Sequence, residues 1–478
     1  MKKLRVIELF SGIGAQIRGI QNSGLFDVES VAIADIDKDA VLSYAAMHHG
    51  LTPELIETYN YPSREEMIVY LQDLNLGYDF EKRKAYNWER VKDAYLRKYY
   101  LACKITNNYG DISKINNLPE CDLLTFSAPC TDISMIGLHK GMVAGKTRSG
   151  LVWEVLRLLN KLKDERKLPK YLLMENVKHL VSNEFIDDFN VLNEMLKDIG
   201  YTAYWKVLNA RDCGIPQDRQ RVFGVYIRDD IDTGKFTFPD PFNLGIEPIN
   251  LLLTASENEE KRLVNVVNKW VKNGEFNTAF TAPKSYEIHD IPKFLNNIRK
   301  GCYGGIVEVA DDINQVSCEI RLNKYFQLRS YYSDYIVTLR AIKKCGDKYV
   351  ITAYNEGKDI HVRGLLPEEA FSLMGFTDED AVKCRTVGVS SSLLYKQAGN
   401  SIVTMCIQLI MEHLYKAFFD ENYIPLDSLL SGYKIIKNEA EIPYGLVEDV
   451  IEIVKGVYLI KEDTREATED ELLSLLNS

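Results

Sequence analysis

The first half of the chain alternates short apolar runs with stretches of helical period. Arg5-Val6-Ile7-Glu8-Leu9-Phe10 reads as a strand, a glycine turn (Ser11-Gly12-Ile13-Gly14) follows it, and a helix is predicted to about Asn22. A second strand is predicted from Val28 to Ala34, ending at Asp35. Asp122-Leu123-Leu124-Thr125-Phe126 and Tyr171-Leu172-Leu173-Met174 read as further buried strands. Strands separated by helices imply a parallel α/β sheet.

Two segments interrupt this rhythm. In 49–108, Ala85, Trp88, Val91, Tyr95 and Tyr99 recur at helical spacing, interleaved with Lys82, Lys84, Arg90, Lys92, Arg97 and Lys98. Two readings stay open: a helical insertion with a solvated basic face, or a face that touches a nucleic-acid backbone. The second segment, 229–362, is poor in βα units and rich in tyrosine, asparagine and lysine, which suggests a separate, smaller domain. The predicted layout is a large α/β region over 1–228 with the insertion inside it, the smaller domain over 229–362, a return to the first region over 363–425, and an extension over 426–478. In that extension a last element starts at Thr468 with a capping box to Glu471.

Composition narrows the class. A chain of 478 residues is long for one compact domain, and 46% hydrophobic with 27% charged residues excludes wholesale disorder. The net charge of -11 means that any nucleic-acid contact requires locally gathered positive charge. Nine cysteines without a C-x-x-C pair argue against a disulfide framework and against a zinc site, so no metal is expected. The start lacks a signal-peptide core and no run is long enough to span a bilayer. The expectation is an intracellular, cytoplasmic, reduced protein with no membrane partner.

Candidate chemistry collects at predicted strand ends. Two glycines after the first strand let a backbone approach a ligand at a helix N-terminus. The turn is not the dinucleotide fingerprint, whose third glycine would fall at Ile17. Asp35, at the tip of the second strand, is placed to accept hydrogen bonds from a ribose, and Asp111-Ile112 supplies a third acidic position at an apparent strand end. Pro129-Cys130 directly follows a buried strand; a lone cysteine there is either a thiol at the reactive edge or a buried structural residue. The loop after it carries Gly137, Gly141, Gly145 and Gly150 with Lys140, Lys146 and Arg148, which suits a lid over an anionic substrate. Met174-Glu175-Asn176-Val177 ends another strand. In Gln217-Asp218-Arg219-Gln220-Arg221 two arginines would share one strand face, as a site or as a surface ion pair.

Taken in order, these strings resemble the DNA cytosine-5 methyltransferases. The turn at 8–15 resembles that family's cofactor loop, Pro129-Cys130 its nucleophile motif, Glu175-Asn176-Val177 its glutamate motif, and Gln217-x-Arg219-x-Arg221 its double-arginine motif. Arg363-Gly364-Leu365-Leu366-Pro367-Glu368-Glu369-Ala370 with Leu373-Met374-Gly375-Phe376 resembles the motif after the target-recognition domain, and Gln397-Ala398-Gly399-Asn400-Ser401-Ile402 the closing motif beside the cofactor. Leu168-Pro169-Lys170-Tyr171-Leu172-Leu173-Met174-Glu175-Asn176-Val177 is similar to the mycoplasma-type CpG enzymes. Departures from the family are Ala128 and Thr131 flanking Pro129-Cys130, Glu8 for aspartate, and Ala15 for glycine.

The resemblance implies a Rossmann-like α/β methyltransferase domain with a mostly parallel sheet, over 1–228 and 363–425, and a target-recognition domain over 229–362. It implies S-adenosylmethionine as cofactor, held by Phe10, Ser11, Gly12, Ile13, Gly14, Asp35, Ile36, Asp111, Ile112, Leu151, Asn400, Ser401 and Ile402. Its catalytic set is Cys130, Glu175, Arg219 and Arg221, with Arg219 serving a phosphate or the loop. Double-stranded DNA is the implied partner, contacted by Ser134, Lys140, Arg148, Lys324 and Arg329, and the enzyme is expected to be a monomer. A tRNA-acting relative is disfavoured by the long segment at 229–362, and a silent DNA-binding relative by intact Cys130, Glu175 and Arg221.

Overall fold

The computed structural model describes residues 1–80, 82–129, 151–215, 217–239, 338–339, 341 and 367–423, together with the strand backbones named below at 319–364 and 433–461. Its centre is a six-stranded sheet of β1 (Lys2–Leu9), β2 (Phe26–Ala34), β3 (Leu123–Phe126), β4 (Tyr171–Val177), β5 (Tyr201–Asn209) and β7 (Gln220–Arg228), in the order β2-β1-β3-β4-β7-β5. The β2-β1, β1-β3 and β3-β4 pairings are parallel, and β7 runs against both β4 and β5. The predicted parallel α/β sheet is thus borne out with one reversed strand.

Both faces of the sheet are buried, which is why its strands read as continuous apolar runs. Leu4, Val6, Leu123, Leu173, Phe223 and Val225 face one core, and Ile7, Leu9, Leu124, Phe126, Leu172 and Met174 the other. The second core is closed by α6 (Val152–Asp164) and α7 (Ile186–Ile199). The first takes α1 (Ala15–Asn22), α2 (Lys38–His48) and α5 (Asp93–Ile105). It also takes chain that returns much later: α8 (Pro367–Ser372), α9 (Asp378–Thr386), α10 (Ser391–Asn400) and α11 (Thr404–Phe419). The helix α11 lies so close to α1 that a Cβ on Gly19 would stand 2.5 Å from Ile407 Cβ.

The insertion holds α3 (Pro53–Thr58), α4 (Arg64–Asp73), a short 3-10 turn (Trp88–Arg90) and α5. The single helical face predicted through Ala85, Trp88, Val91, Tyr95 and Tyr99 does not form. Helix begins only at Asp93, Trp88 is buried with its indole N–H donating to the Leu76 carbonyl (3.1 Å), and Tyr95 is exposed. Nor is the basic face wholly solvated: Lys98 is buried and donates to the Val387 carbonyl (3.1 Å).

Beyond 239, β8 (Glu319–Leu322), β9 (Leu328–Tyr331), β11 (Tyr349–Tyr354) and β12 (Asp359–Gly364) form an antiparallel sheet. The short β10 (Ile336–Val337) pairs in parallel with β6 (Gln217–Asp218), next to the double-arginine motif. Three more strands, β13 (Tyr433–Ile436), β14 (Val450–Val454) and β15 (Val457–Lys461), pair antiparallel in the tail. The element predicted from Thr468 lies outside the described residues, as do Cys130, Ser134, Lys140, Arg148 and Lys324.

Candidate active site

The carboxyl ends of β1, β2, β3 and β4 line one edge of the sheet, where open α/β folds build their sites. After β1 the chain turns through Phe10 (φ 58), Gly12 (φ 54) and Gly14 (φ 81) into α1. A non-glycine residue at positive φ is strained backbone of the kind that gathers at ligand sites; Phe10 is held there by its amide, which donates to the Ala34 carbonyl (2.8 Å). At Gly14 a Cβ would strike His48 Nε2 at 2.5 Å and Tyr44 Cε2 at 2.7 Å, so only glycine passes under α2. Around Gly12 there is open space.

The turn is anchored from below by Glu8. Its fully buried carboxyl accepts from the Ile17 amide (3.2 Å), capping α1, and from the Tyr44 hydroxyl, which also meets Ser30 Oγ (3.0 Å). Burial pushes Glu8 up to about 7, against the opposing pull of the Tyr44 hydroxyl and the Ile17 amide.

At the tip of β2, Asp35 Oδ2 accepts from the Gly12 amide and Oδ1 from the Asp37 amide, both at 2.7 Å. Asn108 brackets its main chain, accepting from the Asp35 amide (3.1 Å) and donating to its carbonyl (2.9 Å). Burial of the carboxyl, with the charge of Asp37 beside it, pushes Asp35 up to about 6. Ile36 is half-buried on the same turn, and its carbonyl accepts from the Gly77 amide (2.7 Å).

Asp111 does not end a named strand. It follows an isolated bridge between Ile33 and Asn108 and caps a short 3-10 turn (Ile112–Lys114). Its carboxylate is buried, with Asn75 Nδ2 at 2.7 Å and Ser113 Oγ at 2.8 Å. Ile112 is buried, and Leu151 is half-buried at the start of α6. Asn400 is exposed at the end of α10, whereas Ser401 and Ile402 are buried.

Cys130 lies outside the described residues, and the chain that leads to it is held from both sides. Ser127 Oγ donates to the Phe10 carbonyl (3.3 Å) and accepts from Gln16 Nε2 (3.1 Å), while the Ala128 carbonyl accepts from Asn176 Nδ2 (3.4 Å). The segment 127–129 is therefore tied on one side to the glycine turn and on the other to the residue after Glu175. On the neighbouring strand Glu175 is buried, 3.3 Å from Arg221 Nε. Burial pushes its carboxyl up, and the charges of Arg221 and Arg219 pull the other way.

Arg219, expected to serve a phosphate or the loop, is bonded among the described residues to main chain. It is buried, and its guanidinium donates to the carbonyls of Leu339 (3.0 Å), Gly399 (3.1 Å) and Ser401 (2.7 Å). Gln217 works beside it: its Nε2 donates to the Leu373 carbonyl (2.7 Å) and its Oε1 accepts from the Leu339 amide (2.9 Å). Of the two arginines, Arg221 faces the carboxylate, and Arg219 ties late-returning chain to the sheet. Sequence reasoning also passed over Asn108 and Lys396. The only available signal for Lys396 was its place immediately before the closing motif.

These residues fit an adenosine-bearing cofactor on grounds independent of any motif. The turn leaves open space at Gly12 beside an acidic strand tip, and Ser11 Oγ is buried in the turn without a hydrogen-bond partner. An orphaned buried hydroxyl is uncommon and asks for a ligand group. Among the described residues no cluster suited to a metal occurs, and no single helix is long and apolar enough to cross a membrane.

A mostly parallel sheet with this edge is the architecture of an α/β enzyme that binds an adenosine-bearing cofactor. The profile of C-5 cytosine-specific DNA methylases matches residues 64–416, and the chain belongs to that family. Type II methyltransferase M2.ScrFI of Lactococcus lactis subsp. cremoris is 34% identical over 421 residues, covering 87% of this chain and 99% of its own. Orphan methyltransferase M.SssI of Spiroplasma monobiae is 40% identical over 232 residues, 47% of this chain and 59% of its own. Among solved structures, S. pombe Dnmt2 methyltransferase covers 86% of this chain and 98% of its own at 17% identity and a TM-score of 0.44. The protein is a DNA cytosine-5 methyltransferase that uses S-adenosylmethionine and takes DNA as substrate.

Proposed function

We propose that the enzyme methylates cytosine within a short specific sequence of duplex DNA, on a base flipped out of the helix, through a covalent adduct of Cys130. Carbon 5 of cytosine is a poor nucleophile. Addition of the Cys130 thiolate to carbon 6 makes the ring an enamine whose carbon 5 can attack an electrophile. S-adenosylmethionine would supply that electrophile as a methyl on a sulfonium, the sulfonium–methyl bond breaking as the bond to carbon 5 forms and S-adenosylhomocysteine leaving. Water then takes the proton from carbon 5, and the C–H electron pair re-forms the 5,6 double bond and expels the Cys130 thiolate. Glu175 holds ring nitrogen 3 and the exocyclic amine, and Arg221 holds the carbonyl oxygen where charge develops. A stacked base cannot present its ring to a thiol, so flipping, at a few kcal/mol, is part of the reading.

The observation that carries this is the Glu175–Arg221 pair on adjacent strands, next to the segment that leads into Cys130. A carboxyl whose burial favours the protonated form can donate to ring nitrogen 3 as charge enters the ring. In this reading Phe10 and Ile36 flank the adenine, Asp35 takes the ribose hydroxyls and Asp111 the adenine amine. The region 229–362 selects the sequence, with Lys324 and Arg329 among its DNA contacts and Ser134, Lys140 and Arg148 on the loop that closes over the base. CG is the first target to try, since the sequence resembles CpG enzymes.

The test is incubation of duplex DNA with tritiated S-adenosylmethionine, followed by bisulfite sequencing to locate the modified base. A duplex with 5-fluorocytosine at that site should trap wild-type enzyme as an adduct stable on a denaturing gel, because fluorine does not leave as a proton does. Cys130→Ser should give neither adduct nor turnover while still binding cofactor. Methylation without any trapped adduct would overturn the covalent route.

A further inference from the structure

On the surface between α10 and the start of α2, Lys396 Nζ sits 3.0 Å from Asp37 Oδ2. The contact is built in. The next residue, Gln397, is buried, donates to the Asp39 carbonyl (2.9 Å) and accepts from Ser43 Oγ (3.0 Å), which locks α10 onto α2. Asp37 also caps α2, its Oδ1 accepting from the amides of Asp39 (3.1 Å) and Ala40 (3.3 Å). Two residues earlier, Asp35 takes the amides of Gly12 and Asp37 on its two oxygens. An ionised carboxylate has roughly four lone-pair sites, so both oxygens can still accept from a ligand.

We propose that Lys396 is a positioning residue of the cofactor site: it neutralises and holds Asp37, so that Asp35 remains an ionised acceptor for the ribose hydroxyls of S-adenosylmethionine. The inference rests on the reading of Asp35 as the ribose acceptor. Two carboxylates this close oppose each other's ionisation, and a cation between the segments relieves the conflict. Burial and the Asp37 charge raise Asp35; the hydrogen bonds from the Asp37 and Gly12 amides lower it, and the Lys396 charge adds to that lowering. Asp37 itself is held low: burial opposes its ionisation, and the Lys396 ammonium with the α2 amides overcomes that. The packed elements also carry Lys38, Asp39, Tyr44 and His48 on α2, Tyr395 on α10, and Lys98 and Tyr99 on α5. Nearest the pair, Lys38 meets Asp39 at 2.8 Å and the Tyr99 hydroxyl donates to Asp39 at 2.7 Å. The chain that returns after the recognition region thus supplies the charge on which the first βα turns depend.

The experiment titrates S-adenosylhomocysteine calorimetrically against the full-length wild type, K396M, K396R, the double variant K396M/D37N, and D35A, from about pH 5.5 to pH 9, with thermal midpoints recorded. Wild-type affinity should fall only below about pH 6. K396M should bind severalfold more weakly at pH 7 than at pH 9, because a carboxyl whose titration moves up toward the ambient pH loses part of its ionised fraction there and regains it at higher pH. K396R should match wild type, and D37N should restore neutral-pH binding to K396M. Weakening of K396M by one factor at every pH, or no rescue by D37N, would make Lys396 merely structural and overturn the proposal. If K396M does not fold, K396R and the double variant decide by the same criteria. If D35A binds like wild type, it is the ribose reading beneath the proposal that fails.

Discussion

At the scale of single residues, Glu8 shows how one side chain supports a site it does not face. Its carboxyl caps α1 and receives the Tyr44 hydroxyl, so the strained turn above it rests on a buried acid. Because folding raises Glu8 from 4.5 to about 7, the folded state binds its proton more tightly than the unfolded chain does. Its contribution to stability is therefore fully present below pH 4.5 and is lost as pH rises through about 7, for a total of ~3 kcal/mol. Glu8→Gln keeps an acceptor for the Ile17 amide and removes the titration. Urea unfolding of wild type and Glu8→Gln at a series of pH values should show wild type losing ground to the variant across that window. Parallel pH curves would refute the assignment. Asp35 titrates nearby in both proteins, so only the difference between them counts.

At the scale of elements, the junction of β6 and β7 does what a long loop closure cannot do alone. Arg219 and Gln217 pin Leu339, Leu373, Gly399 and Ser401 to the sheet, joining segments more than a hundred residues apart in sequence. A planar guanidinium can reach several carbonyls at once, and an ammonium on a flexible stem does so poorly. Arg219→Met leaves buried carbonyls without donors and should cost roughly 3 kcal/mol or more. Arg219→Lys should recover only part of that, measured by denaturant midpoints. If Ser401 and α10 border the cofactor as proposed, S-adenosylhomocysteine binding should weaken in the same order. A stable Arg219→Met enzyme with altered DNA contacts alone would return Arg219 to a phosphate role.

At the scale of the whole molecule, the proposed cofactor site draws on both ends of the chain: the turns after β1 and β2, and α10, which packs on α2 from far along the sequence. Anything that binds only the folded state stabilises it by mass action, about 2.7 kcal/mol at a hundredfold excess over Kd. S-adenosylhomocysteine should therefore raise the melting temperature by a few degrees, and Asp35→Ala should abolish that rise measured against its own ligand-free transition, which loss of the acceptor for the Gly12 and Asp37 amides lowers. A full shift in Asp35→Ala would place the ribose elsewhere. The net charge of -11 makes DNA affinity depend on local basic clusters.

Periodicity and punctuation were enough to read the α/β class, the four parallel strands β1, β2, β3 and β4, and the strand-end positions of Asp35 and Glu175, because strand runs and glycine turns are local properties of the chain. Their physical basis is burial on both sheet faces, which leaves an unbroken apolar signature. The antiparallel sense of β7 was not legible, since direction is set by the partner strand. Nor was the break of the insertion's helical spacing at Asp93, where packing of Trp88 under Leu76 overrides a pattern that counts residues correctly. The different fates of Arg219 and Arg221, two residues apart, were decided only by what lies opposite each: three main-chain carbonyls for one, a buried carboxylate for the other. Lys396 against Asp37 belongs to the same class, because a pairing across 359 residues leaves no trace in local sequence and exists only once α10 packs on α2.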